Sequence, residues 1–251
     1  MDWILPLVAF FAALLTFFSG FGLGTLLMAV LLCYYPAEIA IVITALVHLG
    51  SSLLKVLLNR SVRWDIVLRF GVASVLAALL GSELLEILIR DEIQLYSISV
   101  FNRTNEVGLV NFIIGLLLMV FAAVEWSYKS KSMYMPLWLG GIISGFFGGF
   151  SGHQGALRSV FLVQRIREVP NYIATTAFIS LCVDIARVAN YSRNDLLASV
   201  SFDQVVWCLL AALGGVLLGT FLIKKTTLRL LQNWVAISIF LLGVAMLTGL
   251  V

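Results

Sequence analysis

The chain has 251 residues, 61% of them hydrophobic and 12% charged, with a formal net charge of +3. Ordinary globular chains carry about 25% charged residues, so a soluble fold would have too little polar surface to cover this much apolar side chain, whereas a bilayer supplies an apolar solvent. The small, dispersed positive excess gives no nucleic-acid footprint. Three cysteines without C-x-x-C spacing (Cys33, Cys182, Cys208) and two histidines point to no disulfide framework, metal or cofactor.

The Met1-Asp2-Trp3 start lacks the basic segment and small-residue cleavage site of a signal peptide. Residues 3–33 then form an apolar run that would be about 46 Å long as a helix, against a hydrocarbon core of about 30 Å. Ser19-Gly20-Phe21-Gly22-Leu23-Gly24 interrupts it. Residues 36–59, 64–85 and 107–126 follow, each close to the roughly 20 residues of one crossing. A second overlong run, 136–165, is interrupted by Gly148-Gly149-Phe150-Ser151-Gly152-His153-Gln154-Gly155, and three more spans follow at 170–191, 203–223 and 230–251. Glycine costs about 1 kcal/mol inside a helix and permits positive φ, so each long run is predicted to be two half-helices joined by irregular backbone. Such backbone survives at membrane depth only inside protein or beside a watery cavity.

The two runs open two similar halves, residues 1–126 and 127–251. Ser61-Val62-Arg63-Trp64-Asp65 and Leu80-Gly81-Ser82 match Ser199-Val200-Ser201-Phe202-Asp203 and Leu218-Gly219-Thr220 in register, and Leu109-Val110-Asn111-Phe112 matches Leu231-Gln232-Asn233-Trp234. Loop charge gives the topology. With the broken runs as re-entrant hairpins, one side holds Arg60, Arg63, Lys129, Lys131, Arg165, Arg167, Lys224, Lys225 and Arg229; the other holds Arg90, Arg103 and Arg193. That asymmetry fits the positive-inside rule better than eight full crossings. The predicted fold is therefore an all-α polytopic membrane protein of two inverted repeats. Each repeat is a glycine-broken re-entrant helical hairpin plus three transmembrane helices, and both termini lie outside the cell (inner) membrane. Trp3, Trp64, Trp126 and Trp138 sit near segment ends, as an aromatic belt requires.

A helix start leaves about four N–H groups without partners and carries partial positive charge. Two such starts, after Gly24 and after Gly152, are predicted to meet near the midplane and bind a small anion. Gly22, Gly24, Gly152 and Gly155 would give the backbone access, Thr25 and Ser151 hydroxyls, and His153 and Gln154 ring and amide donors. Arg158 either faces this site or snorkels to the headgroups. Two helices carry polar stripes at helical spacing: Thr44, His48, Ser52 and Lys55 on one, and Thr176, Ser180, Asp184, Arg187 and Tyr191 on the other. His48, Ser52 and Ser180 are added to the substrate-binding set. Asp184 is either an i,i+3 partner of Arg187 or a proton carrier that couples flux, with Arg187 beside it. Gly141/Gly145/Gly149, Gly140/Ser144/Gly148 and Gly215/Gly219 are predicted to pack helices closely.

The first glycine-rich segment, Asn59-Arg60-Ser61-Val62-Arg63-Trp64-Asp65, Leu80-Gly81-Ser82 and the glycine-rich loop at 148–155, in this order and duplicated, resemble the sulfite exporter TauE/SafE family over nearly the whole chain. The resemblance implies a secondary transporter, not an enzyme, that moves a small sulfur-containing oxyanion or organosulfonate such as sulfite or sulfoacetate. Coupling to protons or sodium and assembly as a homodimer stay open. Two alternatives remain: an anion channel, and an intramembrane serine protease using Ser151 of Gly149-Phe150-Ser151-Gly152 with His48 or His153 as base.

Overall fold

The computed structural model describes residues 3–17, 23–91, 93–100, 103–127, 135–163, 165–193, 196–221, 237 and 240–250. Gly22, with the rest of 18–22, and most of the last apolar segment lie outside the described residues.

In chain order the elements are α1 (Ile4–Leu15), α2 (Leu23–Leu31), α3 (Ala37–Leu58) and α4 (Trp64–Ile66). Helix α4 continues through a π turn (Val67–Gly71) into α5 (Val72–Arg90). Two strands follow, β1 (Gln94–Val100) and β2 (Arg103–Gly108), then α6 (Leu109–Ser127), α7 (Leu137–Ser151), α8 (Gln154–Leu162), α9 (Val169–Arg193), a 3-10 turn (Leu196–Ser199) and α10 (Phe202–Phe221). Residues 240–247 are again helical. Pro36 and Pro136 precede α3 and α7 at φ −53° and −55°, the angle their rings impose. Pro170 sits in the first turn of α9, where a missing N–H breaks no helical bond.

Among the described residues Ala37–Leu58, Trp64–Arg90, Val169–Arg193 and Phe202–Phe221 are long and apolar enough to cross a membrane. They match the expected spans 36–59, 64–85, 170–191 and 203–223, and α6 matches 107–126. Their outward faces are apolar: Leu76, Leu80, Phe202 and Phe221 are 62–83% exposed. The interior instead holds Asp184, Arg158 and Arg187, each at most 1% exposed. Water cannot be the solvent of such an arrangement, and lipid can. The chain is an all-α polytopic membrane protein. One feature departs from the sequence reading: between α5 and α6 the chain forms an antiparallel β-hairpin, with Ser97 opposite Glu106 and Ser99 opposite Thr104.

The second glycine-rich break is much narrower than expected. Helix α7 runs through Gly148 to Ser151, and only Gly152 and His153 separate it from α8. Gly152 adopts φ +78°, the left-handed conformation that ends a helix and favours glycine. Helix α8 then returns along α7. The Ser144 hydroxyl donates to the Gln154 carbonyl at 3.0 Å. A Cβ on Gly148 would lie 2.7 Å from that of Gln154, and one on Gly140 would lie 2.7 Å from the Phe161 ring. In the first broken run Leu23–Leu31 is helical, so Gly24 is part of α2 rather than of irregular backbone.

Helix packing is reciprocal between the two halves. Helix α7 lies on α5, where a Cβ on Gly145 would come 2.1 Å from the Ser74 carbonyl oxygen and one on Gly149 2.0 Å from that of Ala78. Helix α1 lies on α10, where a Cβ on Gly215 would come 2.2 Å from the Phe10 carbonyl oxygen. Gly81 abuts Phe146 of α7, and its counterpart Gly219 abuts Phe17 just beyond α1. Gly115 on α6 faces the Gly243 carbonyl, and Gly243 faces that of Gly115. Helices α3 and α9, which hold matching places in the two halves, pack on each other. The small residues thus work as expected, letting backbones approach where a side chain would not fit.

The charge asymmetry gives a direct test of orientation. Single cysteines replacing Arg60, Lys129, Arg167 and Lys225 are expected to react with a membrane-impermeant maleimide only from the cytoplasmic side, and those replacing Arg103 and Arg193 only from outside. Labelling of position 129 from outside with 167 still cytoplasmic would show that the second broken run crosses the membrane.

Candidate anion site

Helix α2 packs on the turn between α7 and α8. A Cβ on Gly24 would lie 3.4 Å from the Gly152 carbonyl oxygen, 3.5 Å from Thr44 Cγ2 and 3.9 Å from His48 Cδ2. A Cβ on Gly152 would lie 3.0 Å from Arg187 Nη1. Glycine at both positions lets α2, α3, α9 and the α7–α8 turn come this close.

Asp184 is the hub. It is fully buried on α9, and three donors converge on its carboxylate: His48 Nδ1 on Oδ2 at 2.6 Å, and Arg187 Nη2 and Gln154 Nε2 on Oδ1, each at 3.0 Å. With a carboxylate as acceptor, the His48 proton toward it is placed on Nδ1. Gln154 in turn accepts from Arg158 Nη1 at 3.2 Å, so Arg158, Gln154 and Asp184 form a chain. Arg187 Nη1 also donates to the Gly148 carbonyl at 3.4 Å, and the Tyr191 hydroxyl donates to that of Gly149 at 3.1 Å. Helix α9 therefore braces the end of α7: Tyr191 binds the Gly149 carbonyl, and Arg187 adds to the Gly152 N–H already on that of Gly148, a cation at the negative end of the α7 dipole.

The polar stripes face each other as their spacing predicts. Thr44, Ser52, Lys55, Thr176, Ser180, Asp184, Arg187 and Tyr191 are all buried, and His48 bridges the stripes through Asp184. The i,i+3 pairing of Asp184 with Arg187 is present. Arg158 does not snorkel: it is 1% exposed. The cluster holds three basic side chains, Lys55, Arg158 and Arg187, with one carboxylate, Asp184. The other buried acid among the described residues, Glu86, is on α5.

Two buried side chains that touch Gly24 and Gly152, Thr44 through its methyl and Arg187 through Nη1, each keep another polar atom without a hydrogen-bond partner among the described residues, the Thr44 hydroxyl and Arg187 Nε. His153 Nε2 is a third. An unsatisfied buried donor costs about 1–3 kcal/mol, and a ligand acceptor removes that cost.

The structure divides the predicted residues into groups. Gly24, His48, Gly152, Gln154, Asp184 and Arg187 lie together, with Arg158 behind Gln154. Ser52 and Ser180 line a neighbouring small cavity with His48, Lys55 and Thr176. There the Lys55 ammonium stands 5.7 Å over the Phe17 ring. Thr25 and Gly155 fall in the first turns of α2 and α8. The Ser151 hydroxyl is engaged inside α7, donating to the Phe147 carbonyl at 3.1 Å, and His153 Nδ1 lies 3.2 Å from Ser151 Oγ. The Phe147 carbonyl thus competes with the His153 ring for the Ser151 proton. Thr44 and Lys55 belong beside the predicted site residues. Their place in the His48 stripe was the available signal.

No curated protein matches the chain. The family described as Sulfite exporter TauE/SafE matches residues 5–246. Its members are membrane transporters, which agrees with the lipid-facing helices and the buried polar cluster between them. With nearly its whole length matched, the chain belongs to the sulfite exporter TauE/SafE family.

Proposed function

We propose that the protein is a secondary transporter of a small sulfur-containing oxyanion or organosulfonate, bound between the first turns of α2 and α8. The observation that carries this reading is the meeting of Gly24 with Gly152 against Thr44 and Arg187, two buried side chains whose hydroxyl and Nε have no hydrogen-bond partner among the described residues. An anion placed there receives helix-start N–H groups, two dipole ends and a guanidinium. The halves 1–126 and 127–251 act as inverted copies, a reading supported by their reciprocal packing. Alternating access then exposes the same site to either side. His48 with Asp184 forms the coupling element, protons being the ion that this pair can carry.

Calorimetry on the purified protein with sulfite, thiosulfate, sulfoacetate and taurine, paired with counterflow in proteoliposomes, tests the proposal. Saturable binding and trans-stimulated flux of one of these anions are expected. Non-saturable flux would identify a channel, and no binding of any of them would remove the substrate class.

Ser151→Ala is expected to weaken anion affinity by no more than about 0.5–1.5 kcal/mol, the worth of one neutral hydrogen bond. Loss of all function in that variant would instead favour serine catalysis.

A further inference from the structure

Away from the anion cluster, and sharing no residue with it, a groove of about 620 Å3 opens on the outer surface where the π turn before α5 meets the start of α7. Its walls include Leu68, Val72, Leu76 and Trp138, all half-exposed or more, and its two cations are Arg69 and Arg165. Arg69 stands on the π turn, a helix irregularity that recurs at functional positions. It has no acidic partner among the described residues. Neighbouring Arg63, by contrast, is held by both oxygens of Asp65 at 2.9 Å. Among the described residues Arg165 is steadied by one bond, Nη2 to the Met135 carbonyl at 2.6 Å, which leaves its other N–H groups for a ligand.

Depth and polarity run together along this groove. The exposed indoles of Trp64 and Trp138 mark a membrane–water interface. Arg69 follows Trp64 by about 8 Å of helix, and Val72 and Leu76 lie one and two turns deeper. Arg69 therefore starts just below the indoles and reaches up toward the headgroups, as long basic side chains near a helix end do, with the aliphatic wall beneath it. The matching position in the other half has no arginine. The register that pairs Ser61 with Ser199 and Gly81 with Gly219 puts Trp207 in place of Arg69, and its ring packs edge-on against Trp3 at 6.0 Å. Where the groove has a cation, the matching position of the other half has an aromatic pair.

We propose that this groove binds one anionic phospholipid, with its phosphodiester between Arg69 and Arg165 and an acyl chain along Leu68, Val72 and Leu76. A free phosphate would use the arginines but leave the apolar wall in contact with nothing it can recognise. A zwitterionic lipid would use the wall but bring no net charge for two guanidiniums.

Native mass spectrometry of the detergent-purified protein, titrated with phosphatidylglycerol, phosphatidylcholine or glycerol 3-phosphate, tests this. Phosphatidylglycerol is expected to bind on the order of tenfold or more tighter than phosphatidylcholine, as two interfacial arginines imply. The double variant Arg69→Gln/Arg165→Gln should lose that preference, whereas Arg69→Lys/Arg165→Lys should keep most of it. Matching thermal unfolding of the variants shows that the fold is intact. Equal binding of the two lipids, a preference that survives the glutamine variant, or glycerol 3-phosphate binding as tightly as the lipid would each overturn the proposal.

Discussion

Asp184→Ala is expected to destabilise the folded protein by about 3–5 kcal/mol and to abolish transport. Removing one partner of a buried ion pair leaves the other charge without compensation, and this is the range such deletions cost. Here the carboxylate collects donors from α3, α8 and α9 at once, so its loss strands Arg187, His48 and the Gln154 amide together. Asp184→Asn is milder, because the amide oxygen still accepts a hydrogen bond. If the His48–Asp184 pair carries the coupling proton, the asparagine variant should lose proton-driven flux and keep substrate exchange across proteoliposomes. Equal loss of both activities would reduce the pair to a structural role. A melting temperature for Asp184→Ala matching the unmodified protein would contradict the hub geometry.

Gly24→Leu is expected to abolish anion binding, a loss of at least about 100-fold, while the protein still folds. The glycine lies in a regular helical turn, so a side chain meets no backbone strain, and its Cβ would make ordinary contacts at 3.4 Å and beyond. The rest of a leucine would occupy the space between the two helix starts. Gly152 is the poorer probe. Its φ of +78° penalises any side chain, so a substitution there confounds folding with binding. Normal calorimetric affinity in folded Gly24→Leu would show that the anion does not bind between the helix starts.

Much of the architecture was legible because membrane spans are written in long apolar runs and overlong runs interrupted by glycine. The stripes on α3 and α9 were legible for the same reason: polar residues four apart in an apolar helix have one direction to face. What pattern could not give was depth and partner. The glycines at 148 and 149 suggested a wide break, yet they pack α7 against Gln154 and Ala78, and only Gly152 needs the left-handed conformation. Arg158 could be placed in the interior only once α8 was seen to fold back, because an arginine near the end of a crossing helix would reach the headgroups instead. The His48–Asp184 contact joins residues 136 positions apart, a distance that no local periodicity reports. The β-hairpin had a signal in the alternation of Tyr96, Ile98 and Val100 with Ser97 and Ser99, but a reading tuned to spans of about 20 residues passes over seven.

The reciprocal packing also sets the order in which the protein can be completed. Helix α1 is made first, yet the helix it lies against is α10, with Phe10 meeting Gly215 roughly 200 residues later in the chain. At a synthesis rate of about 5–20 residues per second, α1 waits on the order of 10–40 s for its partner. During that wait its flank is covered by lipid or by an insertion factor. Helices α5 and α7, whose contact spans far less chain, can pair while the ribosome is still extending α10. The half made second thus reaches its packing partner sooner than the half made first. A chain truncated before α10 would leave α1 in the bilayer with its docking flank exposed, a form that membrane quality control can recognise as unfinished.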